Sequence, residues 1–255
     1  MRMTLTALLM LSPAAAAAQT VPPAPPAQAV PDIAPLTEVW TPVPAKVTPG
    51  KHDSDRPSDA IDLLADGLVG WEGVKKPGPA LWRMDGRELV VVPGTGDIRT
   101  LVPYGDAQYH FEWMTPKEPA DKTGQNRGNS GFYIQERYEV QVLDSYSNVT
   151  YSNGQAGSIY KQYIPLVNAS RPEGHWQSYD VVFTAPRFNA DGSVQAPARM
   201  TVFHNGVLIQ NNVALKGPTV FRGPPSYGPP HGDAPLLLQD HGHEVRFRNL
   251  WVRRL

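Results

Sequence analysis

The sequence predicts an all-β protein, a two-sheet antiparallel β-sandwich, and three observations lead there. From Ile61 onward, short strand-like runs recur, turn-forming residues separate them, and no window of ten or more residues keeps a helical period. About 190 residues of strand and turn, with no helix to cover a sheet, can hide their apolar faces only by packing one sheet on another.

In chain order, residues 1 to 18 (MRMTLTALLMLSPAAAAA) combine an early Arg2, an apolar run from Leu5 to Leu11 and a small-residue junction, the pattern of a secretory signal peptide. The run is too short to span a bilayer, and no later segment reaches the roughly 20 apolar residues of a membrane helix. Export to the periplasm or the cell exterior is therefore expected. Residues 19 to 59 open with a Pro- and Ala-rich tract, VPPAPPAQAVPDIAPL, which reads as an extended linker and passes into a transitional stretch. The folded domain is expected over residues 60 to 255.

The clearest strands are 88 to 94, 107 to 114, 131 to 136, 138 to 144, 178 to 185, 198 to 210 and 244 to 255. His204-Asn205-Gly206 marks a hairpin within 198 to 210, because Asn-Gly accepts the positive φ angles of a tight primed turn. Ala190-Asp191-Gly192 offers another turn. Tyr109, Phe111, Trp113, Val181 and Phe183 supply the core, each worth about 1.5 to 3 kcal/mol if fully buried. Trp71, Trp82 and Trp176 read either as core residues or as sugar-stacking platforms.

No cysteine is present, which excludes disulfides, thiolate nucleophiles and Cys-based zinc sites. Without the first 18 residues, 22 Lys and Arg stand against 24 Asp and Glu. That balance gives no electrostatic case for nucleic acid or an anionic membrane as partner.

Residues 128 to 146, GNSGFYIQERYEVQVLDSY, read as two strands with one polar face. Phe132 and Ile134 point one way, Tyr133 and Gln135 the other. After a Glu136-Arg137 turn, Tyr138, Val140 and Val142 share a face, with Glu139 and Gln141 opposite. Such a face suits hydrogen bonding to a polyol, although an ordinary solvent-facing strand reads the same way.

The blocks PGTGDIRT (93 to 100), HFEW (110 to 113), GNSGFYIQERYEVQVLDSY, GQAGSIYKQYIPLVNASRP (154 to 172), WQSYDVVFTAPRF (176 to 188), HNGVLIQNNV (204 to 213) and LLLQDHGHEVRFRNLWVR (237 to 254) carry a resemblance. Over residues 61 to 255 the chain resembles the DUF1080 family, also called the 3-keto-disaccharide hydrolase domain. It departs at Leu64-Ala65-Asp66-Gly67, where the family usually has Phe-Asp/Asn-Gly. The resemblance implies a concanavalin-A-like jelly roll, export, and a carbohydrate substrate of the 3-keto-glycoside class. A partner dehydrogenase that oxidises the C3 hydroxyl would supply it. Family members are described either as hydrolases or as lyases that eliminate the aglycone.

A C3 ketone acidifies the C2 proton, so removing it can expel the C1 oxygen; the site then needs a base, an oxyanion stabiliser and a leaving-group acid. Under that implied chemistry Glu139 and His241 are the candidates for proton transfer. Gln141, Tyr133 and Gln239 would bind hydroxyls, and Lys161 or Arg127 would stabilise the enolate. Asn129, Asp144 and Glu112 complete the expected substrate-binding set, Asn129 and Asp144 being equally readable as turn residues. Glu139, His241, Glu112 and Asp144 could also hold a divalent metal ion, although no spaced ligand motif marks one. Jelly-roll glucanases place their carboxylates as ExDxxE, whereas the comparable strand here reads EVQVLD with Gln141 in the middle, which disfavours a two-carboxylate glycosidase. A noncatalytic carbohydrate-binding module on the same fold is the alternative reading.

Overall fold

A computed structural model describes residues 33 to 255 except Asp53 and Lys76. The expected signal peptide and the first part of the expected linker lie outside the described residues. The chain divides into two compact units, Met1–Ala45 and Lys46–Leu255. In the first, a 3-10 turn spans Ala34–Thr37, and Trp40 is exposed with its Nε1 donating to Glu38 (3.1 Å).

The second unit holds, in order, β1 (Ile61–Asp62), β2 (Trp71–Gly73), β3 (Arg83–Asp85), β4 (Glu88–Val90), β5 (Ile98–Tyr104), β6 (Ala107–Met114), β7 (Ser130–Ile134), β8 (Tyr138–Val142), β9 (Gln177–Thr184), β10 (Arg187–Phe188), β11 (Val194–Ala196), β12 (Arg199–His204), β13 (Val207–Ala214), β14 (Ala234–Leu238) and β15 (Arg246–Arg254). One sheet runs β13-β12-β9-β6-β15-β4-β3 with β1 added on β15, and a five-stranded sheet runs β2-β5-β14-β7-β8. Neighbours pair antiparallel throughout both. The fold is the two-sheet sandwich expected from the sequence, a concanavalin-A-like jelly roll. Among the described residues no helix is long and apolar enough to cross a membrane.

Alternation fixes which face of each strand is inside. Tyr109, Phe111 and Trp113 of β6 and Val181 and Phe183 of β9 are at most 1% exposed. Phe132 of β7 reaches across the sandwich to stack on Phe111 at 4.0 Å and to meet Tyr109 edge-on at 5.6 Å. A one-residue slip of β7 would turn Phe132 out and Tyr133 in, so this aromatic contact sets the outward direction of the polar residues. Trp71 and Trp82 are core residues whose indole nitrogens donate to Leu63 O and Gly96 O. Trp176 instead lies at the surface beneath the Arg248 guanidinium, 4.0 Å away.

The turns follow their chemistry. Asn205 (φ 52°) and Gly206 (φ 79°) close the two-residue hairpin between His204 and Val207. Between β10 and β11, Asn189 N donates to Ser193 O (2.8 Å) around Gly192. The β7–β8 connection departs from expectation, because the turn begins one residue early. Gln135 and Glu136 both take positive φ (55° and 56°), and Arg137 N closes the turn on Ile134 O (3.1 Å). Gln135 therefore leaves the polar face, and its Nε2 donates to Tyr104 O.

Candidate active site

The outward residues of β7 and β8 form one wall of a cavity of about 510 Å³. Tyr133, Glu139 and Gln141 come from the two strands; Gln239 and His241 come from the segment that follows β14. Strand alternation does not place the last two together, since β14 ends at Leu238. Gln239 N instead extends the pairing with β7 by donating to Gly131 O (3.0 Å), while Ser130 Oγ donates to Gln239 O (2.7 Å).

Glu139 is 3% exposed and faces no cation among the described residues; its contacts are a Tyr133 hydroxyl and an amide. Turned to satisfy its neighbours, the Gln141 amide donates to Glu139 Oε1 (2.9 Å) and Ser130 O (3.1 Å), and its oxygen faces the Gln125 side chain at 2.8 Å. Burial raises the Glu139 carboxyl to about 8, against a smaller lowering by the Tyr133 hydrogen bond. It thus keeps its proton at neutral pH. Burial likewise drives the Tyr133 hydroxyl far above its usual range, with Glu139 adding to the effect. Gly131 makes this arrangement possible: a Cβ there would sit 2.5 Å from the Tyr133 ring and 2.8 Å from Glu139 Oε1.

His241 stands exposed at the rim with its ring stacked on His243 at 6.1 Å. Partial desolvation, followed by the neighbouring His243, lowers its pKa below the usual histidine value. The loop beneath it is fixed by Asp240, which accepts from Gly96 N and Gly242 N (2.9 Å each), while Asp240 N donates to Asp97. His243 is buried and its Nδ1 meets Glu118 Oε1 at 2.6 Å.

Asn129 also lines the cavity, at 2% exposure. Its Nδ2 donates to Gln125 O (2.8 Å), and its Oδ1 is buried without a hydrogen-bond partner among the described residues. The positive φ of that turn belongs to Gly128, so Asn129 is not the turn-former.

Four expected site residues are placed otherwise. Glu112 is on the outer face of the eight-stranded sheet, bound to Arg248 (2.7 Å) and Asn249 (3.1 Å), because β6 turns it away from the five-stranded sheet altogether. Arg127 is consumed by Asp144 (2.6 Å), by Glu173, and by the carbonyls of Pro119 and Lys122. Four of its five N–H donors are thereby taken, and it ties down the loop that delivers Gln125 and Asn129. Asp144 accepts from Arg127 and from Tyr146 N (3.3 Å), an Asx-type turn. Arg127 and Asp144 line a separate cavity of about 470 Å³. Lys161 lies at the edge of the site, its Nζ donating to Phe221 O (2.6 Å) over the rings of Tyr151, Tyr160 and Phe221. Of the four groups expected as metal ligands only Glu139 and His241 share the cavity, and among the described residues no three His, Asp or Glu cluster as a metal site.

Gln125, Tyr151, Tyr160, Thr219 and Phe221 line the cavity without having been singled out from the sequence. Tyr160 arrives because residues 157 to 160 add a short irregular strand to the β8 edge, through Gln141 N to Ser158 O (3.0 Å) and Tyr160 N to Glu139 O (3.3 Å). Thr219 arrives by accepting from Glu139 N (3.0 Å). Their loops carry no alternation, so only membership of the GQAGSIYKQ block marked Tyr160 in advance.

With this geometry in place, comparison with known proteins is specific. The family model described as the 3-keto-alpha-glucoside-1,2-lyase-like domain matches residues 59 to 253. The chain belongs to this family. A crystal structure from Parabacteroides distasonis ATCC 8503, provisionally named a glycosyl hydrolase, is 45% identical with a TM-score of 0.80, over 87% of this chain and 96% of that one. Two further proteins of that organism, named the same way, share the fold. One has 22% identity and a TM-score of 0.53 over 73% of this chain and 89% of its own. The other has 17% and 0.52 over 77% and 99%. No curated protein matches the chain.

Proposed function

We propose that this family member is an exported enzyme that cleaves the glycosidic bond of 3-keto-glycosides or 3-keto-disaccharides by removing the C2 proton and expelling the C1 oxygen. One observation carries the reading: a buried carboxyl, Glu139, lines a cavity of about 510 Å³ with hydroxyl and amide partners and, among the described residues, no cation. A merely structural glutamate would be paired or exposed. The signal-like first 18 residues support export, and the family supports the keto-sugar class. A dehydrogenase acting at C3 would supply the substrate.

The two proton-transfer groups are displaced in opposite directions, which supports a division of roles between them. At neutral pH Glu139 is protonated and His241 is neutral. His241 therefore serves as the base toward C2. Glu139, which accepts from the Tyr133 hydroxyl, acts as the neutral donor to the C3 oxygen as it becomes an enolate, where a low-dielectric pocket makes such a bond strong. Gln141, Gln239 and Asn129 bind the remaining hydroxyls. Lys161 and Arg127, the cations expected for the enolate, are engaged elsewhere, so the stabilisation falls to neutral groups.

The test is to incubate the protein in deuterated water with a 3-keto-disaccharide and its unoxidised parent, following both by NMR. Cleavage of the keto-sugar alone, with deuterium at C2 or an unsaturated keto-sugar, is expected. Inertness toward a panel of keto-sugars overturns the proposal, and tight glycan binding without product would identify a binding module instead.

A further inference from the structure

Elimination needs a third group, an acid for the departing C1 oxygen, and neither His241 nor the Glu139–Tyr133 pair is free to be it once committed to C2 and to the ketone. On the wall next to Glu139, Tyr151 Oη and Tyr160 Oη are hydrogen-bonded at 2.6 Å, and both rings line the cavity. Tyr160 is 9% exposed, whereas Tyr151 is 40% exposed, so the pair runs from the buried interior to solvent. The Lys161 ammonium stands 5.6 Å from the centroid of each ring and is held there by Phe221 O. The backbone bond from Tyr160 N to Glu139 O locks the inner tyrosine to the strand that carries the carboxyl.

We infer that Tyr160 is the leaving-group acid and that Tyr151 is the relay that returns its proton from solvent. The inference rests on the C2-proton route proposed above. The C2–H bond breaks and its proton goes to His241, and the freed pair forms the C1–C2 double bond. The C1–O bond breaks toward the aglycone oxygen, which takes the Tyr160 proton. Tyr160 recovers a proton from Tyr151, Tyr151 from water, and His241 releases its own to water, so the net products are the free aglycone alcohol and an unsaturated 3-keto sugar. Burial keeps the Tyr160 hydroxyl protonated before the reaction, and the Lys161 charge steadies the phenolate formed during it.

A leaving-group acid matters in proportion to the basicity of what departs. Cleavage of a methyl 3-keto-glucoside and a nitrophenyl 3-keto-glucoside by wild type, Tyr160→Phe and Tyr151→Phe therefore tests the assignment, with C2 deuterium exchange followed alongside. Tyr160→Phe is expected to lose ~10²-fold or more on the methyl substrate and less than ~3-fold on the nitrophenyl one, with C2 exchange retained. Tyr151→Phe is expected to show a smaller loss with the same preference. Equal losses on both substrates, or loss of C2 exchange in Tyr160→Phe while wild type cleaves, overturn the tyrosine assignment alone. A wild type that neither exchanges C2 nor cleaves overturns the underlying C2-proton reading.

Discussion

Glu139 and Glu112 are both mid-strand glutamates on the outward face of a strand whose other face is core, yet their surroundings are opposite. Glu112 lies in a field of ion pairs on the eight-stranded sheet, with Arg248 at 2.7 Å, and Arg246 nearby meets Asp85 and Glu88. Glu139 lies on the five-stranded sheet among hydroxyls and amides and is desolvated. The same residue in the same strand pattern is a neutralised surface ion in one place and a buried acid in the other. Withholding a cation leaves a desolvated carboxyl that stays protonated at neutral pH, at a cost in free energy.

The contrast can be broken most forcefully at the site. His241→Ala and Glu139→Ala are each expected to lower keto-glycoside turnover by ~10³-fold, with circular dichroism unchanged. The wild-type pH profile should be a bell, with its acid limb below the usual histidine value as His241 protonates and its alkaline limb near 8 as Glu139 loses its proton. His243, Asp240 and Asp97 face His241, and Tyr133 and Gln141 face Glu139. A rate that climbs steadily through pH 8 would make Glu139 the base instead.

Stability should reveal the same difference. Folded Glu139 holds its proton to about 8, while an unfolded glutamate releases it near 4.5. Between those values the folded state binds more protons, so stability falls as pH rises and levels off above 8. Each tenfold difference in proton affinity is worth about 1.4 kcal/mol, so Glu139→Gln should stabilise the protein by several kcal/mol at pH 9 and hardly at pH 4. Denaturant melts at the two pH values provide the check.

Gly131→Ala probes the geometry alone, since it adds one methyl against Tyr133 and Glu139. Turnover should drop ~10²-fold through misplacement of both groups. The smallest effect belongs to the comparison residue: Glu112→Gln should leave turnover unchanged and cost about 1 kcal/mol or less in a denaturant melt, as expected of a partly exposed ion pair.

Much of the sandwich was legible in the chain because alternation is a local property. Residues 107 to 114 emerged as β6 without change, and the Asn205-Gly206 hairpin formed where the dipeptide permits it. The inward and outward sets of β7 and β8 also came through. Gln135 was misread because a turn with two non-glycine residues at positive φ has no local signature. Glu112, Arg127 and Asp144 were misassigned for a different reason: residue type says what a side chain can bind, whereas its neighbours in space decide what it does bind. Tyr151, Tyr160, Thr219 and Phe221 were missed because they arrive on irregular loops.

By itself the sequence determined the sheet class, the aromatic core, the two polar strands bearing Tyr133, Glu139 and Gln141, and membership of the family. These follow from period-two patterning and ordered motif blocks, which are written along the chain. Only the tertiary structure decided that Glu139 has no cation among the described residues, that His241 reaches its cavity from the segment after β14, that Arg127 is spent on a loop, and that two tyrosines adjoin the carboxyl. Burial and charge partnership depend on residues distant in sequence, and those long-range contacts set the proton affinities on which the chemistry rests.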